Sequence, residues 1–271
     1  MHHETVIIIG GGPSGIACAV QLKRYGINTL IIEKNEIGGL VKNAWRLDNY
    51  PGYPDGISGP AFVEKLKSHL KRFEIRYLIS DIRNSKFTGN SFYLESDTEV
   101  FQCDFLVVAT GTKPKYCGDG VTEVYPLRDV RDKKIAIVGA GDAAFDYAMT
   151  LSPHNTIHIH NRGNIIKCIP ALVEIALKQD NITYFENSSP PDSYDYTIFA
   201  TGREPDLGCM SDELKKEQRL LEQQGRLYVI GDVKNGMVRQ TPVATGDGIR
   251  AAMAIVDRIQ ADESNQQDTG T

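Results

Sequence analysis

The sequence has no Cys-x-x-Cys pair, although it contains five cysteines. They are scattered along the chain and no two have the spacing of zinc ligands; they are Cys18, Cys103, Cys117, Cys168 and Cys209. This distribution argues against a disulfide framework and against a cysteine-type metal site. Cys18 follows a glycine turn inside a predicted helix, so we expect it to be a small apolar filler.

Long apolar runs and basic blocks are also missing. The longest apolar runs, such as VIII and FLVVA, are strand-sized, far below the roughly 20 residues that span a bilayer. The net charge is −5, and no Lys/Arg block is long enough to bind nucleic acid. The first predicted strand begins within the first few residues, so no signal peptide is expected. We therefore expect a cytoplasmic protein with no nucleic-acid partner and no membrane partner.

The sequence does contain a strand, glycine turn, helix and strand pattern, and it contains this pattern twice. The first copy is ETVIIIGGGPSGIACAVQLKRYGINTLIIEK at 4–34, and the second is DKKIAIVGAGDAAFDYAMTLSPHNTIHIHNR at 132–162. A chain of 271 residues with 41% apolar residues has enough material for two ordinary domains. Two βαβ units in one chain indicate an α/β protein with two nucleotide sites.

The segments around these units differ from each other. Residues 75–111 alternate between apolar and polar positions, which predicts an antiparallel meander that leads into a buried strand. Residues 170–202 have room for one helix and two strands only, so we expect the second domain to be abbreviated. A charged helix at 211–223, the strand RLYVIGDV and a helix at 246–259 follow. We expect the polar tail, 261–271, to be disordered.

The first glycine loop matches the dinucleotide fingerprint G-x-G-x-x-G. Gly10 permits a tight turn, Gly12 permits close approach of a pyrophosphate, and Gly15 permits close packing of helix on strand. Glu33 ends the next strand, where a carboxylate accepts hydrogen bonds from ribose hydroxyls. An ordinary glycine turn before a helix is the alternative. The predicted site also includes Pro13, Ser14 and Lys34.

The second glycine loop runs from Gly139 through Gly141, Asp142 and Ala143, with alanine in place of the third glycine. Its second strand ends without an acidic residue and is followed by Arg162 and Lys167. These cations can pair with a 2′-phosphate, so NADPH is favoured over NADH. The alternative is that both are solvated surface side chains.

Seven segments, taken together and in order, resemble the thioredoxin reductase family of two-domain FAD/NAD(P)H flavoproteins over almost the whole chain. They are GGGPSG, IGGL, DNYPGYPDGISGPAFVEKL, FLVVATGTKP, IAIVGAGDAAFDYA, ATGREP, and RLYVIGDV followed by VRQTPVATGDGIRAA. The resemblance implies two Rossmann-like domains: a split FAD-binding domain at 1–112 and 206–271, and an inserted NAD(P)H-binding domain at 113–205. It also implies a homodimer.

The resemblance also assigns residues to the cofactors. It implies that Gly39 turns the chain past the flavin, that Asn49 approaches the isoalloxazine edge, and that Asp232 binds the ribityl chain. It places Arg239, Gln240, Thr241 and a helix start near Thr245 at the pyrimidine end of the flavin. For Asn49 and Gln240 the alternative is loop capping. Further cofactor positions implied in the same way are Leu40, Thr110, Gly111, Gly202 and Gly231.

The resemblance finally shows where a redox cysteine pair is missing. Relatives that reduce thioredoxin carry Cys-x-x-Cys at the place that Val124-Tyr125-Pro126-Leu127 occupies here. Cys117 lies outside that place, so no catalytic dithiol is predicted. Asn161 stands where the family has the first of two arginines, and the tail lacks the aromatic residue with which ferredoxin/flavodoxin-NADP reductases of this fold cover the flavin.

Three functions remain open from the sequence. The first is an FAD-dependent NAD(P)H oxidoreductase that passes electrons to an external acceptor, either a small ferredoxin/flavodoxin-like redox protein or a small molecule. The second is a flavin-dependent dithiol oxidase or protein-disulfide reductase, for which Cys117 and Cys168 are the loop-like candidates. The third is a redox sensor that holds FAD without turnover.

Overall fold

The computed structural model describes residues 2–115 and 120–268. The helices are α1 (Pro13–Arg24), α2 (Gly59–Arg72), α3 (Asp142–Leu151), α4 (Pro170–Leu177), α5 (Asp212–Gln223) and α6 (Thr241–Asp268). The strands are β1 (His2–Ile9), β2 (Thr29–Glu33), β3 (Arg76–Ile79), β4 (Ile82–Thr88), β5 (Ser91–Ser96), β6 (Val100–Val108), β7 (Thr112–Pro114), β8 (Lys134–Val138), β9 (Thr156–His160), β10 (Ile182–Phe185), β11 (Tyr196–Phe199), β12 (Arg203–Pro205) and β13 (Leu227–Val229).

The first compact unit comprises Met1–Val41, Val63–Thr112 and Pro205–Thr271. Its sheet has the order β3-β2-β1-β6-β5-β4, and β13 also pairs with β6. β1 lies parallel to β2 and β6, whereas β4, β5 and β6 are antiparallel neighbours. This confirms the predicted meander. The side chains of Val6 to Ile9 are all buried, as expected for a parallel strand that is covered on both faces.

The second unit comprises Lys42–Phe62 and Lys113–Glu204. Its sheet has the order β10-β9-β8-β11, and all three pairings are parallel. One loop, 186–195, joins β10 to β11, so the predicted abbreviation of this unit is confirmed. The two α/β units confirm the fold class, two Rossmann-like domains, that the sequence indicates.

The segment 42–62 packs within the second unit, whereas the predicted boundaries placed it in the first. The cause is local. The Trp45 N–H donates to Asp146 Oδ2 at 2.7 Å, and the Trp45 side chain packs against the second hydrophobic core. The Asn43 carboxamide oxygen accepts from the Tyr125 N–H at 3.0 Å, which fixes the start of the segment.

Two predictions about helices are wrong. α6 begins at Thr241, four residues before the expected start near Thr245, and continues to Asp268. The predicted disordered tail is therefore helical through Asp268, and Arg258 and Asp262 form an i,i+4 ion pair at 2.8 Å where the tail begins. α2 was not predicted at all. Within the described ranges, no helix combines the length and the apolarity needed to cross a bilayer.

Candidate functional site

The first glycine loop joins β1 to α1 through two glycines that have no room for a side chain. Gly10 has a φ of 113°, and a Cβ there would collide with the Ala109 carbonyl oxygen. A Cβ on Gly15 would collide with the Gly10 carbonyl oxygen. These two glycines therefore set the close packing of α1 against β1 and β6.

Gly12, between them, faces open space. An added Cβ would meet nothing within 4 Å. Gly12 is the N-cap of α1, with no side-chain cap, and the first turn contains no acidic residue and begins with Pro13. Opposite, an added Cβ on Gly39 would lie 3.2 Å from the Gly12 Cα. The N-terminus of α1 at Gly12 is thus an open concave site, which we call the first cradle. Its free backbone N–H groups and the partial positive charge of the helix end fit a pyrophosphate such as that of FAD.

Glu33, at the end of β2, is tied to the same loop. Its Oε2 accepts from the Gly11 N–H at 2.6 Å, and its Oε1 accepts from the Asn35 N–H at 3.0 Å. The carboxylate is therefore held beside the cradle, where it retains free lone pairs for ribose hydroxyls. The neighbouring Lys34 instead points its ammonium to Asp81, at 3.4 Å.

The turn at Gly231 and the helix α6 pack against the start of α1 at Ser14. An added Cβ on Gly231 would lie 2.5 Å from Ser14 Oγ. The buried Asp247 of α6 accepts from the Gly231 N–H at 3.3 Å and from the Asn235 side chain at 2.7 Å. Asp247 therefore holds the turn that carries Asp232. Sequence reasoning missed Asp247; an acid between two glycines, Gly246 and Gly248, was the available signal.

The other positions predicted in the first unit lie close to this turn or to the end of β6. Thr110 Oγ1 donates to the Asp206 carbonyl at 2.6 Å, and the Asp206 N–H donates to the Gly111 carbonyl at 3.1 Å. Gln240 accepts the Ala244 N–H with its carbonyl, at 2.9 Å. Of the remaining positions, Leu40 and Asp232 fall in the short 3₁₀ segments Gly39–Asn43 and Gly231–Val233. Thr241 begins α6, and Arg239 lies two residues before it. Asn49 lies in the second unit.

The second glycine loop repeats the geometry of the first. Gly139 has a φ of 144°, and an added Cβ would lie 2.5 Å from the Ala200 carbonyl oxygen. Gly141 is the uncapped N-cap of α3, and an added Cβ would again meet nothing within 4 Å. Ala144, at the place of the third glycine, is fully buried. This second cradle also fits a pyrophosphate.

Asp142 and Ala143 lie in the first turn of α3, but Asp142 has a structural partner. Its Oδ1 accepts from the Ile169 N–H at 2.9 Å, at the N-cap of α4. Close by, the Lys167 N–H donates to the Ala140 carbonyl at 2.7 Å. The segment that carries Lys167 is therefore fastened to the glycine loop at two points.

The cations predicted to bind a 2′-phosphate are available in the second unit. The side chains of Arg162 and Lys167 are exposed, and neither forms an ion pair within the described part of the chain. Gly202 has a φ of 105° and accepts the Lys115 N–H with its carbonyl at 3.1 Å. The adjacent Thr201 Oγ1 is buried with no hydrogen-bond partner among the described residues, so a polar group is left for a ligand to satisfy.

The end of β9 carries two neutral histidines rather than an acid. Tyr194 Oη lies 2.8 Å from His158 Nδ1 and 2.9 Å from His160 Nε2. Burial lowers the pKa of both imidazoles, with a smaller contribution from Lys134. β9 itself therefore ends without an acidic side chain that would repel a phosphate.

The four described cysteines are free and buried, which confirms the expected filler role of Cys18. Burial raises the pKa of the Cys18 and Cys103 thiols well above the usual range. Burial, followed by nearby Asp142, raises the pKa of Cys168 to about 12, and burial raises that of Cys209 to about 12. None of these four thiols is an activated nucleophile. Cys117 lies outside the described residues.

Asp146 of α3 is a carboxyl group whose pKa burial raises into the neutral range. Burial raises its pKa to about 7, although the Trp45 and Arg46 N–H groups oppose that shift. Because the folded-state pKa lies above the unfolded value, the stability contributed by the protonated carboxyl is complete below the unfolded pKa of about 3.9. It is lost as the pH rises through about 7.

Asp146→Asn is therefore expected to become more stable relative to the unmodified protein as the pH rises. The neutral amide avoids burying a charge, so the difference in unfolding free energy should grow by roughly 2–4 kcal/mol between pH 5 and pH 8.5. Thermal unfolding at several pH values measures this. The exposed Asp180→Asn is the control in the same unit. A pH-independent difference for Asp146→Asn would contradict the assignment.

The described residues contain no cluster of three or more His, Cys, Asp or Glu side chains that could hold a metal ion.

Known proteins resemble this chain in sequence and in fold. The family model described as pyridine nucleotide-disulphide oxidoreductase matches residues 4–190. Thioredoxin reductase of Escherichia coli O157:H7 is 26% identical, covering 93% of this chain and 94% of that protein. Glucosaminate ammonia-lyase of Pseudomonas fluorescens is also 26% identical, covering 93% of this chain and 95% of that protein. The structure of thioredoxin reductase from T. acidophilum superposes with a TM-score of 0.82 at 20% identity, over 96% of this chain and all of that one.

Proposed function

The chain belongs to the pyridine nucleotide-disulphide oxidoreductase family, and from that premise we propose that it is an FAD-dependent NAD(P)H oxidoreductase without an internal redox disulfide. It takes hydride from NADPH onto FAD and passes the electrons to an external acceptor. The acceptor is a small redox protein of the ferredoxin or flavodoxin type, or a small molecule. We further propose that it works as a homodimer in the cytoplasm.

The observation that carries this proposal is the pair of open cradles at Gly12 and Gly141. Each is an uncapped helix N-terminus behind a parallel strand, which is the arrangement that binds a dinucleotide pyrophosphate. When bound, the flavin and the nicotinamide supply the hydride chemistry. The chain binds and orients them: Glu33 holds a ribose beside the first cradle, and Asp247 holds the Gly231 turn in place.

The charge around the second cradle supports NADPH over NADH. Two exposed cations, Arg162 and Lys167, follow β9, and the strand ends at the neutral His160 rather than at an acid. A carboxylate at a strand end in this position would favour the free ribose of NADH and repel a 2′-phosphate.

Direct transfer from the flavin to an outside acceptor is supported by the cysteines. The place of the family's cysteine pair is held by Val124 and the 3₁₀ turn Tyr125–Leu127, and Val124 and Leu127 are buried in the second core. Cys168, the described candidate for a dithiol mechanism, is buried with a pKa raised to about 12. A dithiol function would therefore depend on Cys117. The sensor function would instead require that the second cradle does not bind a nucleotide.

Anaerobic titration of the flavin absorbance tests the proposal. NADPH should bleach the flavin band rapidly, and NADH should do so less efficiently. Loss of the band on adding a dithiol, but not on adding either nucleotide, would establish the dithiol function instead. A bound flavin that none of these reductants bleaches would establish the sensor.

Cysteine variants give the narrower test. Cys117→Ser and Cys168→Ser, singly and together, are expected to change the rate of flavin reduction by NADPH less than about twofold, since hydride transfer depends on positioning of the cofactors rather than on a thiol. Stopped-flow absorbance measures the rate. A loss of tenfold or more for Cys117→Ser, with normal flavin content, would show that a thiol takes part in the reaction.

A further inference from the structure

We propose that Asn161 is a positioning residue that holds the loop 162–167 in the shape that receives the 2′-phosphate of the nucleotide. It acts through Arg162 and Lys167 and does not touch the phosphate itself. This inference rests on the proposed function. It adds that the Asn161 side chain supports the preference of the second cradle for a nucleotide that carries a 2′-phosphate.

The Asn161 side chain braces the loop from within. Its amide nitrogen donates to the Ile165 carbonyl at 3.1 Å and to the Tyr184 hydroxyl at 2.9 Å. Its amide oxygen accepts from the Gly163 N–H at 3.1 Å. One side chain therefore ties the first half of the loop to the second half and ties both to β10, which carries Tyr184.

The Asn161 backbone anchors the same point to the neighbouring loop. Its N–H donates to the Phe185 carbonyl, and its carbonyl accepts from the Ser188 N–H, both at 2.9 Å. The Asn187 N–H donates to the Gly163 carbonyl at 2.9 Å. At the far end of the loop, the Lys167 N–H is fastened to Ala140 at 2.7 Å. The cationic segment is thus fixed at its beginning, its middle and its end.

This bracing adds to the backbone hydrogen bonds because side-chain packing supports the loop mainly at Ile166, which contacts the second hydrophobic core. The side chains from Arg162 to Ile165 are all exposed, and Ile165 is 68% exposed, so packing contributes little to its shape. Ordering a loop at the moment of binding has an entropic cost that weakens affinity. A loop that is already ordered presents Arg162 without that cost. Asn161 occupies the position of a family arginine. In this chain the position therefore carries a side chain that supports the loop by hydrogen bonds, instead of a positively charged one.

Calorimetric titration of the FAD-loaded protein with 2′,5′-ADP and with 5′-AMP tests the role, since the two probes differ only in the 2′-phosphate. Asn161→Ala should weaken 2′,5′-ADP binding about tenfold and 5′-AMP binding less than twofold. Tyr184→Phe, which removes one of the three side-chain bonds, should weaken 2′,5′-ADP binding about two- to threefold. Hydrogen exchange at the Gly163 amide should become faster in Asn161→Ala, because its acceptor is gone.

The outcomes separate this inference from the proposed function. If the unmodified protein prefers 2′,5′-ADP and Asn161→Ala keeps the same preference, the role of Asn161 is overturned and NADPH use stands. If the variant loses affinity for both probes equally, the residue supports the unit in general, and the positioning role is again overturned. If the unmodified protein shows no preference for 2′,5′-ADP, both the NADPH assignment and this inference fail.

Discussion

Gly12→Ala is expected to leave the fold intact and to abolish retention of FAD. The φ of Gly12 is −82°, which alanine adopts without strain, and the added methyl group would meet no atom within 4 Å. That methyl group would occupy the space into which a pyrophosphate must come to reach the N–H groups of α1. We expect FAD affinity to fall at least ~100-fold, which corresponds to about 3 kcal/mol. The ratio of flavin to protein absorbance after purification measures the loss.

The matched variant is Gly15→Ala, in which the same methyl group meets backbone instead of open space. It would collide with the Gly10 carbonyl oxygen and lie 3.2 Å from the Ile8 side chain. α1 must then move away from β1, so we expect a stability loss of about 2–4 kcal/mol together with the loss of FAD. Melting temperatures of the apoproteins distinguish the two variants. Normal FAD content in Gly12→Ala would show that the pyrophosphate does not lie over this glycine.

The double variant Arg162→Ala/Lys167→Ala is expected to raise the Kd for NADPH by about 100-fold or more and to leave that for NADH within about threefold. Each charge-assisted hydrogen bond to a phosphate contributes roughly 1.5–3 kcal/mol. NADH has no 2′-phosphate and forms none of these hydrogen bonds, so its binding should change little. Titration of each nucleotide, monitored by flavin reduction and by calorimetry, measures the two constants. The salt dependence of NADPH binding should also become weaker in the variant.

Lys178→Ala is the control for this double variant. Lys178 is an exposed cation of the same unit, paired with Glu174 at 2.7 Å on the surface of α4, so its removal alters net charge in the same direction without touching the loop. We expect it to change neither constant by more than about twofold. Equal weakening of NADPH and NADH binding in the double variant would mean that the two cations stabilise the unit rather than recognise the phosphate.

The glycine loops, their strands and the abbreviated second sheet could be predicted from the sequence because each depends on a local pattern. A run such as VIII before Gly10 indicates a buried parallel strand, and glycine spacing indicates the turn after it. The same holds for the meander of β4, β5 and β6, whose alternating residues and turn signals are adjacent in the chain.

What the sequence did not reveal depends on partners that are distant in the chain. Asp146 draws the segment 42–62 to the second unit through the Trp45 N–H, and no local pattern at either place indicates that hydrogen bond. Asn161 was noted only as a missing arginine, since its role lies in contacts with Tyr184 and Ile165. The end of α6 was misjudged because its polar composition suggests disorder, whereas the helix continues through Asp268.

The contact of Gly231 with Ser14 has a consequence for synthesis of the protein. The first glycine loop is synthesised before the second unit, whereas the turn at Gly231 and the helix that carries Asp247 are synthesised after it. The second unit lies between them, with most of its residues in one continuous stretch. The first cradle is therefore completed only after the inserted unit has been made, so its N-terminal half must wait, partly assembled, during that time.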